Sequence, residues 1–112
     1  MTDMEHVKAA ILKFRNDRNW AQFHNPKDLA ISISLEASEL LELFQWSAGD
    51  CVREEKHSEQ VEELADILIY CILLADTLNV SIEDAIIAKI KQNEEKYPIE
   101  KAFGASTKYT DL

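Results

Sequence analysis

Two pairs of acidic residues stand out because each pair lies within an apolar helical pattern. Glu36 and Glu39 belong to the segment LEASELLELFQW, and Glu63 and Asp66 belong to EELADILIY. A rotation of about 100° per residue places both pairs on the leucine-bearing sides of their helices rather than on the solvated sides. Carboxylates that converge in an interior repel one another, and a hard divalent cation bound by their oxygens would relieve that repulsion.

A second way to neutralise these acids is offered by the last long helical pattern. Lys89, Asn93 and Lys96 fall on the apolar arc of that pattern, which predicts that they also point inward. If the lysines alone balanced the carboxylates, the result would be a structural ion network without a metal. The spacing of the residues leaves the metal site and the ion network both open.

Helical periodicity predicts that these residues are carried by four helices. The first helix is expected to be capped by Thr2 with Glu5, as in a capping box, and to fade near residues 16–20. The second helix is expected to follow Asn25 as its cap, with Pro26 at its first position. Such long helices agree with the presence of only two Gly and two Pro in the chain.

The remaining boundaries are read from turn residues. The second helix is expected to reach about Trp46 and to be terminated by Gly49, and the third to start within residues 50–58. The third helix then runs to Leu78. After it, the following pattern predicts a fourth helix that ends before the irregular tail, residues 98–112.

The fourth helix has its own local signals. Asn79 breaks the third helix, Ser81 with Asp84 caps the fourth, and Pro98 lies just beyond its end. The whole chain, residues 1–112, is therefore interpreted as one all-α domain, a four-helix bundle.

Composition excludes several classes of protein. The formal net charge of −9 on 112 residues disfavours nucleic acid as a partner, because polyanion binding needs clustered cations. Two cysteines are too few for a disulfide framework. The apolar run ILIYCILLA has nine residues, about half of a membrane span, and no targeting segment is visible, so we expect a cytoplasmic protein without a membrane partner.

The third helix is apolar on nearly all sides between Ile67 and Ala75. A monomer of this size cannot cover such a helix with its other elements. The pattern therefore predicts a homo-oligomer with this helix near the interface.

Taken together, these residues resemble the MazG-like all-α nucleoside triphosphate pyrophosphohydrolases, and most of all the dCTP pyrophosphatase branch of that family. The family signature E-x-x-E followed by E-x-x-D is matched by Glu36-Ala-Ser-Glu39 and Glu63-Leu-Ala-Asp66. The segments RNDRNWAQFHNPKDLA, KIKQNEEKYP and GASTKYTDL are similar to segments of the branch. The resemblance implies a helical bundle assembled as dimers or tetramers, with the tetramer favoured.

The resemblance also implies a reaction, namely Mg²⁺-dependent hydrolysis of a nucleoside triphosphate, such as dCTP, to the monophosphate and pyrophosphate. Glu36, Glu39, Glu63 and Asp66 would serve as metal ligands and catalytic residues. The substrate-binding residues would be Trp20, Gln22, Phe23, His24, Trp46 and Tyr70 at the base and Lys89, Asn93 and Lys96 at the phosphates.

One position departs from the branch, which carries a substrate-contacting histidine nine residues before its tryptophan. Ile11 occupies that position here. The departure leaves the preferred base open, so a related activity on dUTP or phosphoribosyl-ATP is an alternative. A helical oligomer that binds nucleotides without cleaving them is a third interpretation.

Overall fold

The structure is a computed structural model that describes residues 2–46 and 56–112. Every regular element in these two ranges is helical, which confirms the all-α class. The elements, in chain order, are α1 (Met4–Asp17), the 3₁₀ turn η1 (Trp20–Phe23), α2 (Pro26–Glu42), α3 (His57–Thr77), α4 (Ile82–Lys96), α5 (Ile99–Ala102) and the 3₁₀ turn η2 (Tyr109–Asp111).

Side-chain caps fix the starts of the first two helices. The carboxylate of Asp3, not the hydroxyl of Thr2, accepts the hydrogen bond of the His6 N–H, at 2.8 Å. The predicted cap was therefore wrong by one residue, since Asp3 is the residue whose side chain accepts from the first turn of α1. Asn25 caps α2 as predicted, and its Oδ1 accepts from the Asp28 N–H at 2.9 Å.

The end of α2 comes earlier than its apolar pattern suggests. The helix stops at Glu42, and the N–H groups of Phe44 and Gln45 bond to carbonyls three residues back, as in a tightened last turn. Trp46 then has a positive φ of 67°, which ends the helical geometry. The predicted terminator, Gly49, lies outside the described residues.

The chain divides into two compact units, Met1–Asn79 and Val80–Leu112. In the first unit, α3 packs along α2 and also contacts α1. Leu29, Leu73 and Ala75 are its buried apolar residues. α3 starts at His57, within the range predicted for its first residue. Because both α1 and α2 contact it, α3 is the central helix of this unit.

The second unit contains α4, α5 and η2. Asn79, with φ of 56°, precedes it, and the Ser81 hydroxyl accepts from the Asp84 N–H at 3.3 Å, so the predicted break and cap are confirmed. In the tail, Tyr109 stacks edge-on against Tyr97, with ring centroids 5.8 Å apart. The assignment of the whole chain to a single domain remains a prediction.

No single helix in the described part of the chain is long and apolar enough to cross a membrane, although α3 and α4 counted together would meet the same length and composition test.

Candidate active site

The first functional feature is a cluster of carboxylates where α2 packs on α3. One oxygen each from Glu36, Glu39 and Glu63 lies within 4.8 Å of the others. Glu36 and Glu63 are half-buried, whereas Glu39 is exposed in the single chain. The cluster therefore lies at the edge of the contact between the two helices, because Glu39 is rotated about 60° around α2 from Glu36.

Crowding and burial change the acidity of the cluster. Burial, hydrogen bonding with Glu63 and Glu39, and the charges of Glu39 and Asp66 raise the pKa of Glu36 to about 7. The hydrogen bond with Glu36 is the strongest influence on Glu63 and lowers its pKa, but burial and the charges of Glu39 and Asp66 outweigh that bond and raise it. Without an added positive charge, the cluster thus holds a proton at conditions where separate glutamates would be ionised.

The donor set fits a divalent cation. The Oε2 atoms of Glu36 and Glu63 are buried and have no hydrogen-bond partner. Among the described residues, no lysine or arginine forms an ion pair with Glu36, Glu39 or Glu63. Opposite ligands of Mg²⁺ lie about 4.2 Å apart, so small side-chain rotations would let one ion touch all three oxygens.

Asp66, the fourth predicted ligand, lies outside the group of three and is exposed. Its charge nevertheless raises the pKa of Glu36 and of Glu63. Asp66 also lines a second feature of the unit, a pocket formed by α1, η1 and α3. It is therefore the residue that links the carboxylate cluster to that pocket.

The second feature, the aromatic pocket, lies between α1, η1 and α3 and has a cavity volume of about 360 Å³. Its size falls in the range of small-molecule sites. The pocket is lined by Ala10, Ile11, Phe14, Arg15, Trp20, His24, Asp66, Ile69, Tyr70 and Leu73.

The turn between α1 and η1 forms the aromatic wall of this pocket. Asn19 has a left-handed φ of 55°, which reverses the chain after α1 and brings Trp20 back onto Phe14. The two rings meet edge to face with centroids 5.7 Å apart. The guanidinium of Arg18 covers the Phe14 ring at 3.6 Å from its centroid.

Three of the predicted base-binding residues line the aromatic pocket, namely Trp20, His24 and Tyr70. Burial, followed by the charges of Glu36, Asp66 and Glu39, raises the pKa of Tyr70, so its hydroxyl stays protonated beside the carboxylates. Ile11, the residue that stands where the similar branch carries a histidine, also lines this pocket.

The other three base-binding candidates do not line this pocket. Phe23 and Trp46 are 64% and 89% exposed, respectively. The side-chain amide of Gln22 donates a hydrogen bond to the Asn19 carbonyl oxygen, at 3.0 Å, which stabilises the turn before η1.

The predicted phosphate-binding residues belong to the second unit. Lys89 and Asn93 are exposed, and Lys89 Nζ lies 3.4 Å from the side-chain oxygen of Gln92. Lys96 is half-buried, and its Nζ lies 4.8 Å from the centroid of the Tyr109 ring.

Sequence reasoning did not identify Arg15 and Asp76. Arg15 Nη1 and Asp76 Oδ2 form an ion pair at 2.7 Å, and the Arg15 side chain is only 13% exposed. The two residues are 61 positions apart, so only the tertiary fold brings them together. The available signals were an arginine directly after Phe14 on the apolar side of α1 and an acid at the end of the apolar run of α3.

Comparisons with known proteins show the family of the chain. The model of the MazG-like family matches residues 31–112. Rat dCTP pyrophosphatase 1 (Rattus norvegicus) is 34% identical over 114 residues, which cover 97% of this chain and 67% of the rat protein. The human dCTP pyrophosphatase 1 (Homo sapiens) is 35% identical over 116 residues, with coverage of 97% and 67%.

A solved structure extends the similarity to the fold. The crystal structure of a pyrophosphatase from Archaeoglobus fulgidus matches with a TM-score of 0.81 and 40% sequence identity, and covers 88% of this chain and 94% of that one. This chain therefore belongs to the MazG-like family.

Proposed function

We propose that this protein is a Mg²⁺-dependent nucleoside triphosphate pyrophosphohydrolase that cleaves (deoxy)nucleoside triphosphates, dCTP among them, to the monophosphate and pyrophosphate. The observation that carries the proposal is the junction of a carboxylate cluster and an aromatic pocket at Asp66. Membership of the MazG-like family and the similarity to proteins named dCTP pyrophosphatase support it.

The carboxylate cluster would hold the metal. Glu36, Glu39 and Glu63 offer only carboxylate oxygens, the ligands that Mg²⁺ prefers, and Asp66 would complete the set. When bound, Mg²⁺ supplies charge neutralisation at the phosphate oxygens and activates water. Cation binding would also displace the proton that the crowded cluster otherwise retains.

The chain's own residues would position the reacting groups. A glutamate of the cluster would orient the attacking water and accept its proton, while the Tyr70 hydroxyl can donate a hydrogen bond beside the same carboxylates. Lys89, Asn93 and Lys96 would contact the phosphates.

The aromatic pocket would bind the base. Trp20 supplies a flat apolar face for stacking, and Ile11 and Phe14 exclude water from it. Phe23, Trp46 and Gln22 would contribute from outside this wall.

The assembly is proposed to be a homo-oligomer, with the tetramer favoured. Val61, Leu64 and Leu68 follow one another at i, i+3 and i+7 on α3 and are 52%, 51% and 53% exposed. An apolar stripe of this kind indicates a protein interface. Light scattering should therefore give a multiple of 12.8 kDa, and Leu64→Lys with Leu68→Lys should reduce it, unlike the control Leu78→Lys at the end of α3. A monomeric wild type would contradict the proposal.

The activity is tested by incubating the full chain with a panel of nucleotides with and without Mg²⁺ and resolving the products. We expect monophosphate and pyrophosphate, only when metal is present. A preference for dUTP or phosphoribosyl-ATP would keep the fold and change the substrate. Thermal stabilisation by nucleotides with no pyrophosphate release would instead show a binding protein, and orthophosphate as the product would contradict cleavage to the monophosphate and pyrophosphate.

A further inference from the structure

The pocket that we assign to the base contains one charged donor. Arg15 is the only lysine or arginine among the described residues that line it, and its side chain is 13% exposed. A guanidinium in such a position has lost most of its water, so its N–H groups need acceptors from the protein or from a ligand.

The orientation of Arg15 is fixed by two contacts. Nη1 donates to Asp76 Oδ2 at 2.7 Å, and Nε donates to Asn16 Oδ1 at 3.0 Å. These contacts hold the plane of the guanidinium and leave further N–H groups without a described partner. Because Asp76 already balances the charge of Arg15, the free donors suit a neutral acceptor pair better than a phosphate.

The chemistry of base edges shows which acceptors fit. Cytosine presents O2 beside the bare ring nitrogen N3, and guanine presents O6 beside N7, so either base can receive two parallel N–H donors. Uracil and thymine place an N–H beside each carbonyl of the pairing edge. Adenine places an amino group beside its ring nitrogen, so a donor would face a donor.

We propose that Arg15, oriented by Asp76, determines which base the aromatic pocket accepts, by donating two hydrogen bonds to a carbonyl oxygen and the ring nitrogen next to it, as cytosine offers. This inference rests on the proposed function, because it assigns the pocket to the base of a nucleotide. Guanine has the same pair of acceptors, so the test must include it.

The state of His24 supports this reading of the pocket. Burial, followed by the positive charge of Arg15, lowers the pKa of His24, so its ring is neutral at pH 7. Its Nδ1 atom is buried and has no hydrogen-bond partner. Arg15 is therefore close enough to His24 to affect its pKa, and both residues line the pocket. The unpartnered Nδ1 of His24 is a second polar atom there that a ligand could satisfy.

The competing explanation is structural, since the pair of Arg15 and Asp76 also ties α1 to α3. Arg15→Lys separates the two roles, because a lysine keeps the ion pair with Asp76 but cannot present a planar fork. Lys13→Met is the matched control, since Lys13 pairs with Asp17 at 2.6 Å on the exposed side of the same helix.

The experiment compares kcat and KM of the 112-residue chain with saturating Mg²⁺ for dCTP, dGTP, dUTP and dATP, together with thermal melting. Wild type should prefer dCTP over dUTP and dATP, and Arg15→Lys should reduce that preference by roughly 10- to 100-fold, mainly through KM. Asp76→Asn should reduce it by less. The Lys13→Met control should retain it, and all variants should melt within a few degrees of wild type.

Several results would overturn the inference. It is wrong if Arg15→Lys keeps the wild-type preference, if it lowers all four activities by the same factor, or if wild type itself does not discriminate. A preference for dGTP over dCTP would retain the role of Arg15 and reject cytosine as the base. If wild type cleaves no nucleotide, the proposed function fails as well, which distinguishes that outcome from a failure of Arg15 alone.

Discussion

The carboxylate cluster and the aromatic pocket both include residues of α3, but their charges are balanced in different ways. In the cluster, Glu36, Glu39 and Glu63 approach one another with no described cation beside them. In the pocket, the charge of Arg15 is already balanced by Asp76 at 2.7 Å. The cluster therefore requires an external cation, whereas the pocket is organised before any ligand arrives.

The two sites are joined by the spacing of α3. Glu63, Asp66 and Tyr70 follow at i, i+3 and i+7, which places them along one stripe of the helix. Over this stripe α3 rises about 10 Å. A nucleotide held by its base in the pocket would extend its phosphates along the stripe toward the cluster, so one helix would set the distance between recognition and reaction.

The largest expected effect comes from removing a ligand charge. Glu39→Gln and Asp66→Asn should each lower turnover by more than about 100-fold, because even residues that only support a metal ligand typically cost 10- to 100-fold. The measurement is pyrophosphate release at saturating Mg²⁺, with circular dichroism to verify that the helices remain.

The matched control for this change is Glu42→Gln, an exposed glutamate one turn beyond Glu39 on α2. It should keep the wild-type rate. If Glu39→Gln or Asp66→Asn also keeps that rate, the cluster is not the catalytic metal site. Its unbalanced negative charge would then play no part in the reaction.

A smaller effect is expected from the wall of the pocket. Trp20→Ala should raise KM for every nucleotide by about 10- to 100-fold with little change in kcat, since stacking on an aromatic side chain contributes about 1–3 kcal/mol per base. Steady-state kinetics across the nucleotide panel measure this split.

Phe103→Ala provides a control, because Phe103 is an aromatic residue that is 88% exposed in the second unit. A fall in kcat at unchanged KM in Trp20→Ala would show that Trp20 supports the fold around Phe14 rather than the substrate. The aromatic pocket would then not be the binding site for the base.

The sequence was sufficient to predict features that depend on local geometry. The caps Asn25 and Ser81 and the proximity of Glu36 to Glu63 follow from side-chain reach and from helix periodicity. These features require only that helices form and that two of them pack by their apolar sides.

Tertiary features were beyond such reasoning. The pair of Arg15 and Asp76 depends on how α1 crosses α3, which no helical wheel contains. The early end of α2 at Glu42 depends on bonds that tighten its last turn, although leucines continue the apolar pattern. The exposure of Glu39 likewise depends on where the contact between α2 and α3 ends, not on the side of the helix alone.

The smallest effect is a difference in stability that distinguishes the two sites by pH. Glu36 has a pKa raised to about 7, so between its ordinary value and 7 the folded chain keeps a proton that the unfolded chain releases. The free energy of unfolding of the metal-free protein should therefore fall as pH rises through this window, and the stabilising effect of the retained proton should be gone above it.

Glu36→Gln cannot ionise at this position and should reduce this pH dependence to the part that comes from Glu63, whose pKa is also raised. At pH 8 without metal, the melting temperature of Glu36→Gln should be a few degrees above that of wild type, whereas that of Glu42→Gln should equal it. Added Mg²⁺ should reverse the order, because the ion stabilises the ionised wild-type cluster more than the variant. Melting temperatures at pH 5 and pH 8, each measured with chelator and with Mg²⁺, test these expectations under four conditions. If Glu36→Gln instead destabilises the metal-free protein at pH 8, the ionised Glu36 carboxylate is stabilised by other groups of the protein. The cluster would then need no external cation, as the pocket needs none.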